Sequence, residues 1–272
     1  MRYLTEREIA GLRVIITGGS DGKGGGEGPL VVLLHGFGAP GRDLVPLSQV
    51  MSVPTGTRFA FPAAPLSLAD SFGGGRGFEM FDSRAWWMID IERFERVLGQ
   101  LGPRARSGMP NLNDPLLRSL TDDVPAGLAP ARTQLLSVLD ELERQLHVPP
   151  GQMVLGGFSQ ESMLSLDVAL RSERELAGLL LWSSTLICQP EWDPRMASRR
   201  GLPILQSHGQ QDPLLPFFLA EALRDKLTAA GAAVDFVPFR GAHEIPQAVL
   251  RATDAFLHKV LATPQTGHSD HG

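Results

Sequence analysis

The stretch Val154-Leu155-Gly156-Gly157-Phe158-Ser159-Gln160-Glu161 passes from an apolar run to a polar one across a single Gly-Phe-Ser turn. Residues 152–156 read as a short strand and residues 161–170 as a helix. A strand that turns this sharply into a helix holds its central residue in a strained backbone conformation, with the side chain projecting above the sheet edge. The helix beneath offers unpaired N–H groups and the positive end of its dipole. One such turn fixes little alone, so the rest of the chain has to supply a sheet for it to crown.

Strands and helices alternate on both sides of it. Leu30–Leu34 (LVVLL) is a continuous apolar run, the mark of a parallel strand covered on both faces. Residues 12–17 and 58–61 read as further strands, and residues 43–51 as a helix. Residues 131–147 carry Leu135, Leu136, Leu139, Leu142 and Leu146 as a helical stripe, closed by Pro149-Pro150. Strands at 176–183, 203–207 and 234–239 and helices at 217–230 and 245–261 complete the pattern. The expected fold is α/β, with a mostly parallel central sheet and helices on both faces. Residues 1–262 read as one domain and 263–272 as a flexible tail.

Two segments break the alternation. Residues 18–28 are rich in glycine, but they lead through Pro29 into a strand rather than opening a helix. They are expected to form a hairpin turn and not a dinucleotide site. Residues 66–128 hold Gly73-Gly74-Gly75, Trp86-Trp87 and the long loop 102–115, and read as a cap-like insertion over one edge of the sheet.

Composition excludes several classes of function. With 272 residues, 43% hydrophobic and 20% charged, the chain is globular rather than disordered. A net charge of −5 leaves no surplus of cations for nucleic acid. A single cysteine, Cys188, is expected to be buried and excludes a disulfide framework or a cysteine-rich zinc site. The first eleven residues carry Arg2, Glu6, Arg7 and Glu8 and do not read as a secretory leader. No run is apolar for the length a membrane span needs, so a cytoplasmic protein is expected. His268 and His271 lie in the polar tail and are expected to be solvated, so no metal is expected.

The serine at the turn has partners downstream. A nucleophilic hydroxyl needs an imidazole to take its proton, and the imidazole needs a carboxylate to fix its tautomer. Strand 203–207 runs into His208-Gly209-Gln210-Gln211-Asp212-Pro213, and strand 234–239 into Arg240-Gly241-Ala242-His243. The chain order Ser159, Asp212, His243 is that of α/β-hydrolases, and all three fall after carboxyl ends of strands, at one rim. Asp193 is the competing acid but follows the earlier strand. His35 and His208, each followed by glycine, read as structural. Developing negative charge calls for two N–H donors, for which Gln160 and Phe37 (in His35-Gly36-Phe37-Gly38) are the candidates.

These motifs, with Phe61-Pro62-Ala63-Ala64-Pro65, Arg84-Ala85-Trp86-Trp87 and Gly241-Ala242-His243-Glu244-Ile245-Pro246, resemble the phospholipase/carboxylesterase family of serine hydrolases, which includes acyl-protein thioesterases. The resemblance implies an α/β-hydrolase fold and cofactor-free hydrolysis of esters or thioesters. It implies Ser159 as nucleophile, Asp212 as acid, His243 as base, Phe37 and Gln160 as oxyanion donors, and Trp86 and Trp87 near the acyl pocket. Phe72, Phe78 and Phe81 in the insertion add apolar character, so a small ester with a short-to-medium acyl chain is the expected substrate. A thioester or lysophospholipid is the alternative, resting on the likeness alone.

One residue departs from the family's Gly-x-Ser-x-Gly pattern: Glu161 stands where the last glycine is expected. A glutamate there must swing outward, bond a polar neighbour or push helix and strand apart, at a cost of roughly 1–3 kcal/mol. Its charge would oppose a neighbouring oxyanion, which leaves open a catalytically silent hydrolase fold used for binding. On the reading of a working enzyme, Glu161→Gly leaves turnover unchanged or raises it.

Overall fold

The computed structural model describes residues 4–71, 82–101 and 113–262. Phe72, Phe78, Phe81, the glycines 73–75, most of the loop 102–115 and the tail 263–272 lie outside the described residues.

Nine strands of the described chain join in one sheet, in the order β1 (Leu4–Ile9), β2 (Leu12–Gly19), β5 (Arg58–Pro62), β4 (Leu30–Leu34), β8 (Met153–Phe158), β9 (Gly178–Trp182), β10 (Pro203–Gly209), β11 (Ala233–Phe239), with β3 (Lys23–Gly25) beside β2. From β5 to β11 neighbouring strands run parallel. β2 pairs antiparallel with both β1 and β5. Alternate residues of the central strands feed two apolar layers. Leu30, Val32 and Leu34 pack with the helices Leu128–Leu146 and Gln160–Arg171, while Val31 and Leu33 pack with Val249, Phe256 and Leu257 of the last helix, Gln247–Val260. Every residue of β4 is buried, as a doubly covered strand requires.

Four local expectations are corrected. Strand β1 occupies a segment to which the sequence assigned no element; Glu6, Arg7 and Glu8 are exposed along it, charges of the sort that keep an exposed sheet edge from pairing with other chains. The glycine-rich segment forms no hairpin: β3 lies beside the end of β2 in parallel, and the Asp21 carboxylate holds the turn by accepting from the Lys23 and Gly25 N–H groups. The strands on either side of it are not neighbours, because β5 inserts between them. The helix expected over 43–51 shrinks to Leu47–Val50, since Pro46 has no N–H to continue a helical ladder and disfavours helix in the residue before it. The stripe at 131–147 begins three residues early, at Leu128, with Pro130 in the first turn, where a missing N–H costs nothing.

Within 66–128 the described elements are the pair β6 (Leu66–Ser67) and β7 (Arg84–Ala85) and the helices Leu68–Ser71, Ile91–Leu101 and Pro115–Thr121.

Two buried charges brace the sheet from outside the rim. Arg58 donates to the carbonyls of Gly26, Gly28 and Leu146, tying the glycine turn to the end of a long helix. Asp167 accepts from Trp192 Nε1 at 2.8 Å, Arg132 Nη1 at 2.6 Å and Arg171 Nε at 3.0 Å. Cys188 is buried near this network, and burial, with the Asp167 charge adding to it, pushes its thiol up to about 12. Because the thiolate is the reactive form, iodoacetamide at pH 8 should leave Cys188 unmodified in the native protein and alkylate it once the chain is unfolded in guanidinium. Mass spectrometry before and after unfolding checks this; alkylation of the native protein would contradict the burial.

Candidate active site

The turn at Ser159 is strained as the sequence implies. Its φ is 60° and ψ −122°, a region that a residue with a Cβ occupies at a cost of about 1–3 kcal/mol. Two features hold it there: the Ser159 N–H donates to Trp182 O at 2.9 Å, and the helix Gln160–Arg171 starts at the next residue. Partial burial leaves the hydroxyl at the rim above β8.

The other two residues meet across neighbouring loops. His243 Nδ1 lies 2.6 Å from Asp212 Oδ2. Gly209, at the end of β10, makes that approach possible: a Cβ there would sit 2.1 Å from Ala242 O. The Gln211 N–H donates to Gly241 O at 2.9 Å and stitches the two loops together. Asp212 Oδ1 accepts from the N–H groups of Leu214 and Leu215, both at 2.9 Å, so the carboxylate is aimed before the imidazole arrives. Burial alone would raise the Asp212 carboxyl. The His243 hydrogen bond and the Leu215 N–H outweigh it and hold the group below its ordinary value. An ionised Asp212 therefore accepts a hydrogen bond from the Nδ1–H of His243, which leaves Nε2 as the unprotonated nitrogen that can accept. The Phe158 ring stands 4.6 Å from the His243 ring, centroid to centroid, and places the imidazole over the residue that precedes Ser159. The structure joins His243 to Asp212 but not Ser159 Oγ to His243, a contact that in unliganded enzymes often tightens only when substrate is present.

Asp193 does not compete. It lies on the helix Gln189–Met196, paired with Lys226 at 2.7 Å. His208 and His35 both tie backbone, as their place after strands suggests, and both do more. His208 Nε2 lies 2.8 Å from Leu215 O and 3.4 Å from Asp212 Oδ2, so it flanks the acid as well as its loop. His35 Nδ1 contacts Gly36 O at 3.0 Å, and its Nε2 accepts from the Ala64 N–H at 2.9 Å. Burial lowers the His35 imidazole to about 4, keeping it neutral between the loop of Phe37 and the loop after β5.

Phe37 and Gln160 fall on either side of the serine. Among the described residues, neither backbone N–H is used in a hydrogen bond, so two donors are free at the rim. Sequence reasoning missed the part played by the Gln160 side chain. It is fully buried; its Oε1 accepts from the Trp86 N–H at 3.0 Å and its Nε2 donates to Trp87 O at 2.9 Å. Trp86 and Trp87 are only 2% and 4% exposed and pack in the core shared with the long helices. Both rings thus stand behind the rim, and the backbone between them is what reaches the elbow.

Glu161 follows neither of the two polar accommodations open to it on sequence. It neither swings out nor finds a polar partner: it is fully buried, and among the described residues both carboxyl oxygens lack a hydrogen bond. Gly157 makes room for it, since a Cβ at Gly157 would lie 2.9 Å from Glu161 Cβ. Burial without a partner raises the Glu161 carboxyl well above its ordinary value. Among the described residues no group of three or more His, Cys, Asp or Glu is placed to hold a metal ion.

The doubly covered parallel sheet and the strained strand–turn–helix elbow define the α/β-hydrolase class. Residues 120–261 match the model of the phospholipase/carboxylesterase family, and the chain belongs to that family of serine hydrolases. It is 32% identical over 118 residues to acyl-protein thioesterase 1 of Neurospora crassa, covering 42% of this chain and 48% of that protein. To the protein of the same name in Schizosaccharomyces pombe it is 30% identical over 143 residues, 51% of this chain and 62% of that protein. The matches thus span about half the length of these curated relatives. Among solved structures, esterase PE8 superposes with a TM-score of 0.68 at 26% identity, covering 95% of this chain and all of that one. Arabidopsis thaliana SOBER1 shares the fold, with a TM-score of 0.61 at 20% identity over 86% of this chain and 99% of that one. No described helix is long and apolar enough to cross a membrane.

Proposed function

We propose that this chain is a serine carboxylesterase that hydrolyses small esters with short-to-medium acyl chains through an acyl-enzyme on Ser159. The observation that carries the reading is the backbone of Ser159, held at φ 60° and ψ −122° between a buried strand and a helix amino end. A protein that used the fold only for packing would have no reason to retain that strain. In the proposed reaction Ser159 Oγ attacks the ester carbonyl carbon while His243 Nε2 takes its proton. The carbonyl oxygen becomes an oxyanion facing the N–H groups of Phe37 and Gln160. Collapse of the intermediate expels the alcohol, protonated by His243; a water molecule, activated by the same imidazole, then frees the acid. No cofactor enters any step.

Leu66, Met88 and Leu214 are exposed apolar side chains, and the last two adjoin Trp87 and the Asp212 loop in the chain. They favour an apolar acyl group at the rim. The likeness to proteins named acyl-protein thioesterase favours a second reading, a thioester substrate, which uses the same steps with a thiol leaving group.

An active-site-directed fluorophosphonate tests the assignment. Intact-mass and peptide analysis should show one adduct per chain, on Ser159, and none on Ser159→Ala. Absence of an adduct, or an adduct elsewhere, defeats the esterase reading and leaves the silent fold. Oxygen esters and thioesters of matched acyl length then separate the two substrate classes.

A further inference from the structure

The two free N–H groups at the rim follow different strands, one β4 and one β8, yet a single segment reaches both. The Gly38 N–H donates to Arg84 O at 2.8 Å and the Arg84 N–H to Ala39 O at 3.1 Å, which fixes the Phe37 loop to residues 84–87. Two residues on, the Gln160 carboxamide closes on the Trp86 N–H and the Trp87 carbonyl, as one peptide group pairs with another in a sheet. Gly36 lets the Phe37 loop lie against the elbow, since a Cβ there would meet the Phe158 ring at 2.9 Å.

We propose that the Gln160 side chain is a positioning residue for catalysis: through residues 84–87 it sets the spacing between the Phe37 and Gln160 N–H groups that receive the oxyanion. The inference rests on Ser159 being the nucleophile. Both ends of the carboxamide are matched to backbone groups of buried residues that have no other hydrogen bond among the described residues, so the clamp has one geometry. Hydrogen-bond donors stabilise a transition state only when aimed at the place where charge develops, and removal of one donor costs about 10²–10³ in kcat. A loosened strut leaves both donors present but misplaced, so a loss of about 10–100-fold is expected.

Gln160→Met keeps the length of the side chain and removes both bonds. With p-nitrophenyl butyrate it should lower kcat by about 10–100-fold while KM stays within about twofold, because the loss falls on the transition state alone. Gln160→Glu supplies the rescue: a protonated carboxyl accepts from Trp86 and donates to Trp87, whereas a carboxylate faces the Trp87 carbonyl with no proton to give. The ratio of its kcat to that of the wild type should rise as pH falls from 8.5 to 6, and the ratio cancels the titration that both enzymes share. A Gln160→Met enzyme with wild-type kcat overturns the clamp, as does a Gln160→Glu ratio that does not move with pH. The fluorophosphonate adduct on wild-type Ser159 separates this failure from failure of the nucleophile itself. If that adduct does not form, the clamp falls with the reading it rests on.

Discussion

Asp212→Asn should lower kcat/KM for a chromogenic ester by about 10⁴ while leaving the fold and KM nearly unchanged. Four contacts fix that carboxylate. Oδ1 accepts two backbone N–H groups, from Leu214 and Leu215, so an asparagine must keep its carbonyl oxygen there. Its NH2 group then faces His243 Nδ1, where Oδ2 now sits at 2.6 Å. A donor facing Nδ1 forces the imidazole proton onto Nε2, and the ring can no longer take a proton from Ser159. His208 cannot repair the loss, because its own Nε2 is engaged with Leu215 O at 2.8 Å. Steady-state kinetics of Asp212→Asn beside Asp193→Asn decides the matter, with Asp193→Asn expected to remain within about twofold of wild type, as Asp193 pairs with Lys226 on a neighbouring helix, away from His243. An Asp212→Asn enzyme within tenfold of wild type, or a crippled Asp193→Asn, would remove Asp212 from the mechanism.

Most of the scaffold behind this site was legible in the sequence for a physical reason. Strands buried on both faces have to be continuously apolar, and LVVLL at 30–34 or GLLLW at 178–182 have no other comfortable place in a globular fold. The elbow was legible because only a narrow set of residues makes so tight a strand–turn–helix corner. What escaped were features decided by side-chain reach across the fold. Strand β1 owes its place to pairing with β2, and its run of three exposed charged residues, Glu6 to Glu8, hides the alternation that marks a half-buried strand. The separation of β2 and β4 by β5 is a matter of chain crossing that no local pattern encodes. The Gln160 clamp joins residues 74 apart in sequence; only the elbow's use of a long amide side chain hinted that something there needed both a donor and an acceptor.

Glu161 presents the sharpest conflict between local sequence and fold, and Glu161→Gln should convert it into a measurable dependence of stability on pH. A buried, unpartnered carboxyl is kept neutral in the folded protein, whereas in the unfolded chain it ionises near its ordinary value of 4.5. The folded state therefore binds one more proton than the unfolded state at every pH between that value and the raised one. Stability is greatest below 4.5 and falls as pH rises, by about 1.4 kcal/mol per unit, until the folded carboxyl itself ionises. Glutamine has nearly the same shape and no proton to lose. The thermal unfolding temperatures of the two proteins should lie close together near pH 4 and diverge steadily above it, with the variant the more stable. To the extent that burial holds Glu161 neutral, it also removes the objection that its charge would oppose the oxyanion. At alkaline pH the wild type should lose turnover as well as stability, and Glu161→Gln should keep both. Parallel stability curves from pH 4 to 9 would mean that Glu161 ionises in the folded protein with a partner, and the neutral-acid account of the elbow would be wrong.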